Sequence, residues 1–366
     1  FETPIEVYSH PYLEPFGSGS PRFLVIPGIP ESAGELLKHK CFFAPWTTIH
    51  RYDVNIPKYK KENAQQAVVI TENNKPSIEF ADAVMRANMC AATAYWRNGV
   101  IEYTGKLLQK NMNGIYYDEL SSSGPEMCYA RNHEHHPGGG NYGLESRRVI
   151  MQQLHEKFLP KYPFFYTSGE EGCEYYIDVN DINSMSGGFF NDSVPAFQAV
   201  YHDYSFSTAF AAGKFYDSYC GTRYADKSGY TNLSEFAIHA CQFWTWGINP
   251  NRVRFDLPKF SPVAAKLTRD MSKTMLANAK YLIYGRMLRP PVISAGNAGV
   301  TTEYLWRNFG RKTFDAVWVS AWLAPDGSVA IALANASHAK LAPEISCDLS
   351  ESVPDRCIIR DPQTRT

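Results

Sequence analysis

Twice between Asn113 and Asp178 a short apolar run ends in paired acids. The first run is Gly114-Ile115-Tyr116-Tyr117 and leads into Asp118-Glu119. The second is Phe164-Phe165-Tyr166-Thr167-Ser168 and leads, after Gly169, into Glu170-Glu171. Between them lie a His- and Gly-rich loop, Asn132 to Gly140, and a helix-length segment, Leu144 to Leu159. The order strand, acid, loop, helix, strand, acid admits few architectures. Strands that alternate with helices of this length form parallel βαβ units. An α/β barrel built from them carries its chemical groups at the carboxyl ends of the strands, with loops shaping the pocket above.

The rest of the chain repeats the alternation. Residues 1–22 are rich in Pro, Gly and Ser and read as an irregular lead-in. Phe23–Ile26, Thr47–Val54 and Ala67–Thr71 read as strands, Glu31–His39 as a short helix, and 57–66 as a solvated loop. Val100, Tyr103, Leu107 and Leu108 recur at helical intervals within Trp96–Lys110; Val149, Ile150, Leu154 and Phe158 do so within Leu144–Leu159. Val194–Tyr201 leads to a further acid and reads as a strand closed by His202-Asp203. Leu233–Trp246 and Pro262–Tyr284 are helix-like. Beyond Phe314 the pattern turns to strands, 316–322 and 329–335, joined through the turn Pro325-Asp326-Gly327. The expected fold is therefore α/β: a (β/α)8 TIM-type barrel over residues 1–291, followed by a small, truncated all-β sandwich over 292–366. The chain starts Phe-Glu-Thr-Pro, without a start Met or a signal-peptide pattern, and reads as a processed product or a fragment, in which case early barrel strands are missing.

Composition removes several function classes. A net charge of −1 offers no basic field for nucleic acid or an anionic membrane surface. No run reaches the roughly 20 apolar residues of a membrane span. The eight cysteines are widely spaced, with no Cys-x-x-Cys pair; they read as buried thiols, with Cys347 and Cys357 able to bridge in an oxidising compartment. Oligomeric state is not legible.

Two carboxyl groups flanking a sugar linkage can cleave it, one protonating the leaving oxygen and the other attacking the anomeric carbon or activating water. Asp118 is the expected nucleophile and Glu171 the expected acid/base. Strand alternation turns one acid of each adjacent pair away, so Glu119 and Glu170 are the competing choices. The expected sugar contacts are Trp46, Trp96, Arg97, Tyr117, His133, His135, His136, Glu170, Glu174, His202, Asp203, Trp244 and Trp246. The tryptophans serve as stacking platforms and the histidines as donors from the overhanging loop. A metal reading of His133, His135 and His136 is weaker, because their spacing matches no helical His-Glu-x-x-His motif. No cofactor or metal is expected. The alternatives are a glycan-binding barrel without catalysis and a metal-dependent hydrolase using the histidine loop.

A set of motifs occurs in one order: Met89-Cys90-x-x-Thr93-x-x-Trp96-Arg97, Gly114-Ile115-Tyr116-Tyr117-Asp118, His135-x-Pro137-Gly138-Gly139-Gly140-Asn141-Tyr142, Glu171-Gly172-x-x-Glu174-x-Tyr176, and Met287-Leu288-Arg289-Pro290-Pro291. Over roughly residues 40–335 the chain resembles a bacterial family of unknown function grouped with TIM-barrel glycoside hydrolases and found mostly in polysaccharide-degrading bacteria. The resemblance implies a glycosidase-like barrel with a β-sandwich behind it, a carbohydrate substrate, and a secreted or periplasmic location. An acid after a fourth strand and another after a fifth also resembles the α-amylase arrangement, which is what gives Asp118 the nucleophile role.

Overall fold

A computed structural model describes residues 5–9, 28–39, 41–81, 84–185, 196–209, 233–249, 252–254, 262–304 and 310–349. The chain divides into two compact units. The first comprises Phe1–Gly187, Ser207–Phe210 and Asn251–Ala265, and the second Gly188–Phe206, Ala211–Pro250 and Lys266–Thr366. The strand expected at 23–26 lies outside the described residues.

The first unit is organised on a seven-stranded sheet made from β1 (Ile5–Ser9), β2 (Cys41–Thr48), β6 (Gly114–Asp118), β7 (Tyr166–Glu170), β8 (Ile182–Met185), β9 (Phe206–Ala209) and β10 (Arg252–Arg254). Their spatial order is β10-β1-β2-β6-β7-β8-β9, and the register pairs from β10 through to β8 are parallel. The last of these strands in sequence thus lies beside the first. β2 is buried at seven of its eight positions, as expected of a parallel strand covered on both faces. It contains Pro45, a residue that central strands usually exclude because it cannot donate to the ladder. Pro45 stands where β2 changes partners: Cys41 to Pro45 pair with β1, and Trp46 to Thr48 pair with β6. Asn113 adds a side-chain link there, its Oδ1 accepting from the Phe43 amide at 2.9 Å.

Two helices cover this part of the sheet. α3 (Ala94–Leu108) starts at Thr93, whose hydroxyl accepts from the Trp96 amide as an N-cap. α4 (Tyr142–Phe158) follows the triple-glycine loop and buries Arg147, Ile150, Met151, Leu154 and Phe158; Val149, expected on that face, is exposed. The segment between β2 and α3 is an insertion: β3 (Arg51–Asp53), β4 (Ile78–Ala81) and β5 (Val84–Asn88) form an antiparallel sheet in the order β3-β5-β4. The expected solvated loop at 57–66 contains a helix, Pro57–Lys61, and the start of a 3-10 turn, Ala64–Ala67. The expected strand 67–71 makes only single bridges, Val68 to Met89 and Ile70 to Pro76.

In the second unit, β15 (Val317–Leu323) and β16 (Val329–Asn335) form the expected antiparallel hairpin, and Gly327 takes the left-handed conformation that its turn requires (φ 81°). β11 (Arg286–Met287) adds to its edge. Two further two-stranded ladders pair Val292–Ala295 with Glu344–Ser346 and Gly299–Tyr304 with Gly310–Asp315. The helix Leu233–Thr245 packs on these strands. The run 196–201, expected as a strand, is a helix, and His202–Tyr204 a 3-10 turn.

Candidate active site

The register fixes which acids share a surface. Thr48 pairs with Asp118, Tyr116 with Ser168, and Glu170 with Ser184. One step past the paired residues Tyr117 and Gly169 come Asp118 and Glu170, at the same height on adjacent strands. Side chains of in-register residues leave the same face, from backbones about 4.8 Å apart. Asp118 and Glu170 therefore start side by side at the carboxyl edge of the sheet, with Trp46 and Tyr116 one layer below. They end the third and fourth strands of this sheet in chain order among the described residues.

The two following acids break away at once. Glu119 and Glu171 are both left-handed, at φ 61° and 60°. For a non-glycine residue that conformation costs about 1 kcal/mol or more. Glu119 turns onto Arg51 (2.8 Å), which also holds Glu79 (3.0 Å), and comes within 3.8 Å of His50. The Glu171 amide donates to the Ser184 carbonyl at 2.9 Å. Glu170 accepts from the Glu119 amide at 3.3 Å and from the Ser122 hydroxyl.

Electrostatics ties these groups together. Burial, then the charges of Glu170 and Glu119, hold the Asp118 carboxyl well above the usual carboxylate range; Arg51 and a hydrogen bond from Trp46 oppose them. Burial also raises Glu119, against Arg51. His50 is held well below its usual value by burial and by Arg147, Arg51 and Arg86, and is neutral. Arg147 is buried, and its Nη1 donates to the carbonyls of Glu119 (3.0 Å), Leu120 (3.1 Å) and Ser123 (2.7 Å), clamping the loop that follows Asp118.

Several expected sugar contacts are committed elsewhere. Tyr117 leaves the opposite face of β6 from Asp118 and shares a 2.7 Å hydrogen bond with Thr104 of α3, because alternation along a strand separates neighbours. Trp96 is buried, its indole donating to the Ile49 carbonyl at 2.8 Å. Arg97 pairs with Glu134 at 2.8 Å. Trp244 and Trp246 are buried within the second unit, Trp244 donating to Met271 and Trp246 meeting Trp318 edge-on at 6.1 Å. His202 is buried there too, its ring nitrogens at the carbonyls of Gly285 and Gly247; Asp203 is exposed on a 3-10 turn. Glu174 and His136 are exposed in the first unit. Trp46 remains with Asp118.

The histidine loop has a different partner from a sugar. His133 Nδ1 lies 3.4 Å from Cys128 Sγ, and His135 Nε2 lies 3.3 Å from Cys90 Sγ. The four ligand-type atoms all fall within 4.8 Å of one another. By sequence alone both cysteines read as buried thiols. The run Cys128-x4-His133-x-His135 was the available local signal; Cys90, 38 residues earlier, had none.

Residues 31–211 match a family model described as a domain of unknown function (DUF6259). That match spans just under half of the chain. Over 187 residues the chain is 28% identical to a Bacteroides thetaiotaomicron protein that carries a provisional glycoside hydrolase name, covering 48% of this chain and 27% of that protein. Among solved structures, the ligand-free alpha-N-acetylgalactosaminidase NagBb of Bifidobacterium bifidum superposes with a TM-score of 0.57 at 12% identity, over 89% of this chain and 48% of that one. A GH31 family sulfoquinovosidase from E. rectale, bound to an aza-sugar inhibitor, superposes with a TM-score of 0.54 at 9% identity, over 85% and 56%. Identities this low establish a likeness of fold, to enzymes built on a TIM-type barrel. The chain spans about a quarter of that Bacteroides relative and about half of these structures.

Proposed function

We propose that this protein is a glycoside hydrolase that cleaves a glycan with retention, using Asp118 as nucleophile and Glu170 as acid/base. The observation that carries this reading is the in-register placement of the two acids at the carboxyl ends of adjacent parallel strands. Backbones about 4.8 Å apart suit the roughly 5–5.5 Å carboxyl separation of retaining enzymes better than the 6.5–9.5 Å of inverting ones. Register favours Glu170 over Glu171 for the acid/base, since Glu171 lies past the strand in a left-handed turn. The names of the Bacteroides relative and of the two superposed structures support the reaction class. The pairing of β10 with β1 puts the last strand of this sheet in sequence beside the first, an order that supports a barrel.

In the reaction Glu170, entering as the acid, delivers a proton to the leaving oxygen while ionised Asp118 attacks the anomeric carbon. Water then releases the sugar, with Glu170 acting as base. The test is hydrolysis of a panel of aryl glycosides and polysaccharides, with proton NMR of the first-formed anomer. Asp118→Asn and Glu170→Gln should each lose 10²-fold or more in kcat, at the scale of about 10²–10⁴ for a lost proton-transfer group, while Glu171→Gln keeps its activity. Wild-type turnover persisting in Asp118→Asn removes the assignment, and a Glu171→Gln loss with Glu170→Gln intact returns the acid/base role to Glu171.

A further inference from the structure

We infer that Cys90, Cys128, His133 and His135 form a structural zinc site that fixes the loop between Asp118 and α4 against the 51–93 insertion. The inference stands independently of the glycosidase reading, since it concerns metal content and loop order alone.

Four features point to a tetrahedral ion. First, the ligand set is complete and of the right softness. Two thiolates and two imidazoles bind Zn²⁺ at about 2.3 and 2.0–2.1 Å, which puts a sulfur and a nitrogen on adjacent corners of a tetrahedron about 3.6 Å apart. The two measured S···N separations are 3.3 and 3.4 Å. Second, both histidines are already oriented as ligands. A carbonyl can only accept, so the 2.8 Å contact of His133 Nε2 with the Gln66 carbonyl places the proton on Nε2 and aims the Nδ1 lone pair at the cluster. His135 is the mirror case: Nδ1 donates to the His136 carbonyl at 2.8 Å and Nε2 points inward. Fixing a ligand histidine through its other nitrogen is the usual outer-shell arrangement of metal sites. The His135 ring is further pinned by parallel stacking on Tyr142 at 3.8 Å.

Third, the surroundings suit a charge-balanced centre. The Ile70 amide donates to Cys128 Sγ at 3.4 Å. Two thiolates neutralise a divalent ion, so the whole centre carries no net charge. That suits its setting among the buried Val69, Ala92 and Ala130. Fourth, the ligands come from two segments far apart in sequence, which one ion would join. Cys90 follows the insertion sheet just before α3. Cys128, His133 and His135 lie in a 23-residue stretch, 119–141, with no helix or strand of its own. Loops of that length are ordered only by specific ties. Four protein ligands leave no open coordination position, so the ion is structural and does not activate water.

The experiment uses the full chain expressed in zinc-supplemented medium and purified without chelator. Metal analysis should give about one zinc per chain. Cys128→Ser and His135→Ala should lose it, and Cys173→Ser should keep it. Because a ligand variant can fail to fold, the wild-type protein is also stripped and loaded with Co²⁺, where intense visible bands of a tetrahedral, thiolate-bound ion are expected. Hydrogen exchange of peptides 119–141 should speed up on stripping, while that of 166–170 does not. Zinc-free protein with four reducible or alkylatable Cys/His groups under metal-replete conditions overturns the inference. So does a Cys90–Cys128 disulfide found by thiol counting and peptide mass, or octahedral, featureless cobalt.

Discussion

Replacing Asp118 by asparagine should make the first unit more stable at neutral pH. Glu170 stands about 4.8 Å away in register, and two unit charges near 5 Å at an effective dielectric of about 20 repel by roughly 3 kcal/mol. Arg51, which opposes the shift, offsets part of this, leaving on the order of 1–2 kcal/mol. A carboxyl whose folded-state pKa is raised above its unfolded value near 3.9 adds its full stability below that value. The stability is lost as pH rises through the raised pKa. Wild type therefore weakens between about pH 4 and neutrality at this site, and Asp118→Asn does not. The gap between the two should open by about 1–2 kcal/mol from pH 4 to pH 7.5, with the mutant the more stable. Since the pH-independent packing change cancels in that difference, the reading is clean. Urea-dependent hydrogen exchange of peptides 114–118 and 166–170 reports the unit itself, so the second unit does not blur the result. Parallel stability curves across that pH range would refute the coupling of the two acids. In a Glu170→Gln background the opening should shrink but persist, since burial is the first cause of the shift.

The same coupling has a kinetic sign. Arg51→Met removes a cation that favours ionised Asp118, so the acidic limb of kcat/KM on an activated aryl glycoside should move to higher pH; a downward move contradicts it. Glu170→Gln should move that limb down, read on the same substrate. Arg147→Met strips three carbonyls of their buried donor and should lower stability by about 3 kcal/mol or more in urea denaturation, with a loss below about 1 kcal/mol counting against the clamp. Tyr117→Phe removes only the Thr104 bond on the helix side, so kcat should hold within about twofold while stability falls by about 1 kcal/mol.

What could be read from the chain follows from where each residue's partner lies. β6 and β7 were legible because Ile115-Tyr116-Tyr117 and Phe164-Phe165-Tyr166 are apolar runs with acids at their ends, and α3 and α4 because their buried residues recur at helical spacing. β8, Ile-Asn-Ser-Met, was not: Asn183 and Ser184 are buried yet polar, and only the neighbouring strands make them a strand. β10 is three residues long. Thr47–Val54 reads as one strand, but β2 ends at Thr48 and β3 starts at Arg51, and Pro45 sits inside β2 where the change of partner that accommodates it is a tertiary fact. The strand-end acids stand out in the sequence, but which of Glu170 and Glu171 stands level with Asp118 depends on register, which sequence does not print. Trp96, Tyr117, Trp244 and Trp246 looked like cleft residues because composition cannot say which face an aromatic leaves. The Cys/His cluster needed contacts across 38 to 45 residues to be seen.

The paired left-handed turns at Glu119 and Glu171 have a consequence for how such a molecule can change. Each turn ends its strand one residue after the acid and sends the backbone off at a sharp angle. Lengthening or rewriting the segment beyond it transmits little torque to the carboxyl behind. The 172–181 loop can therefore diverge in length and lettering while the acids keep their height, whereas 119–123 is tied to them through Ser122 and the Arg147 clamp. The two glutamates that hold the turns, not the loops themselves, are the positions where a β-branched replacement would disturb the geometry most.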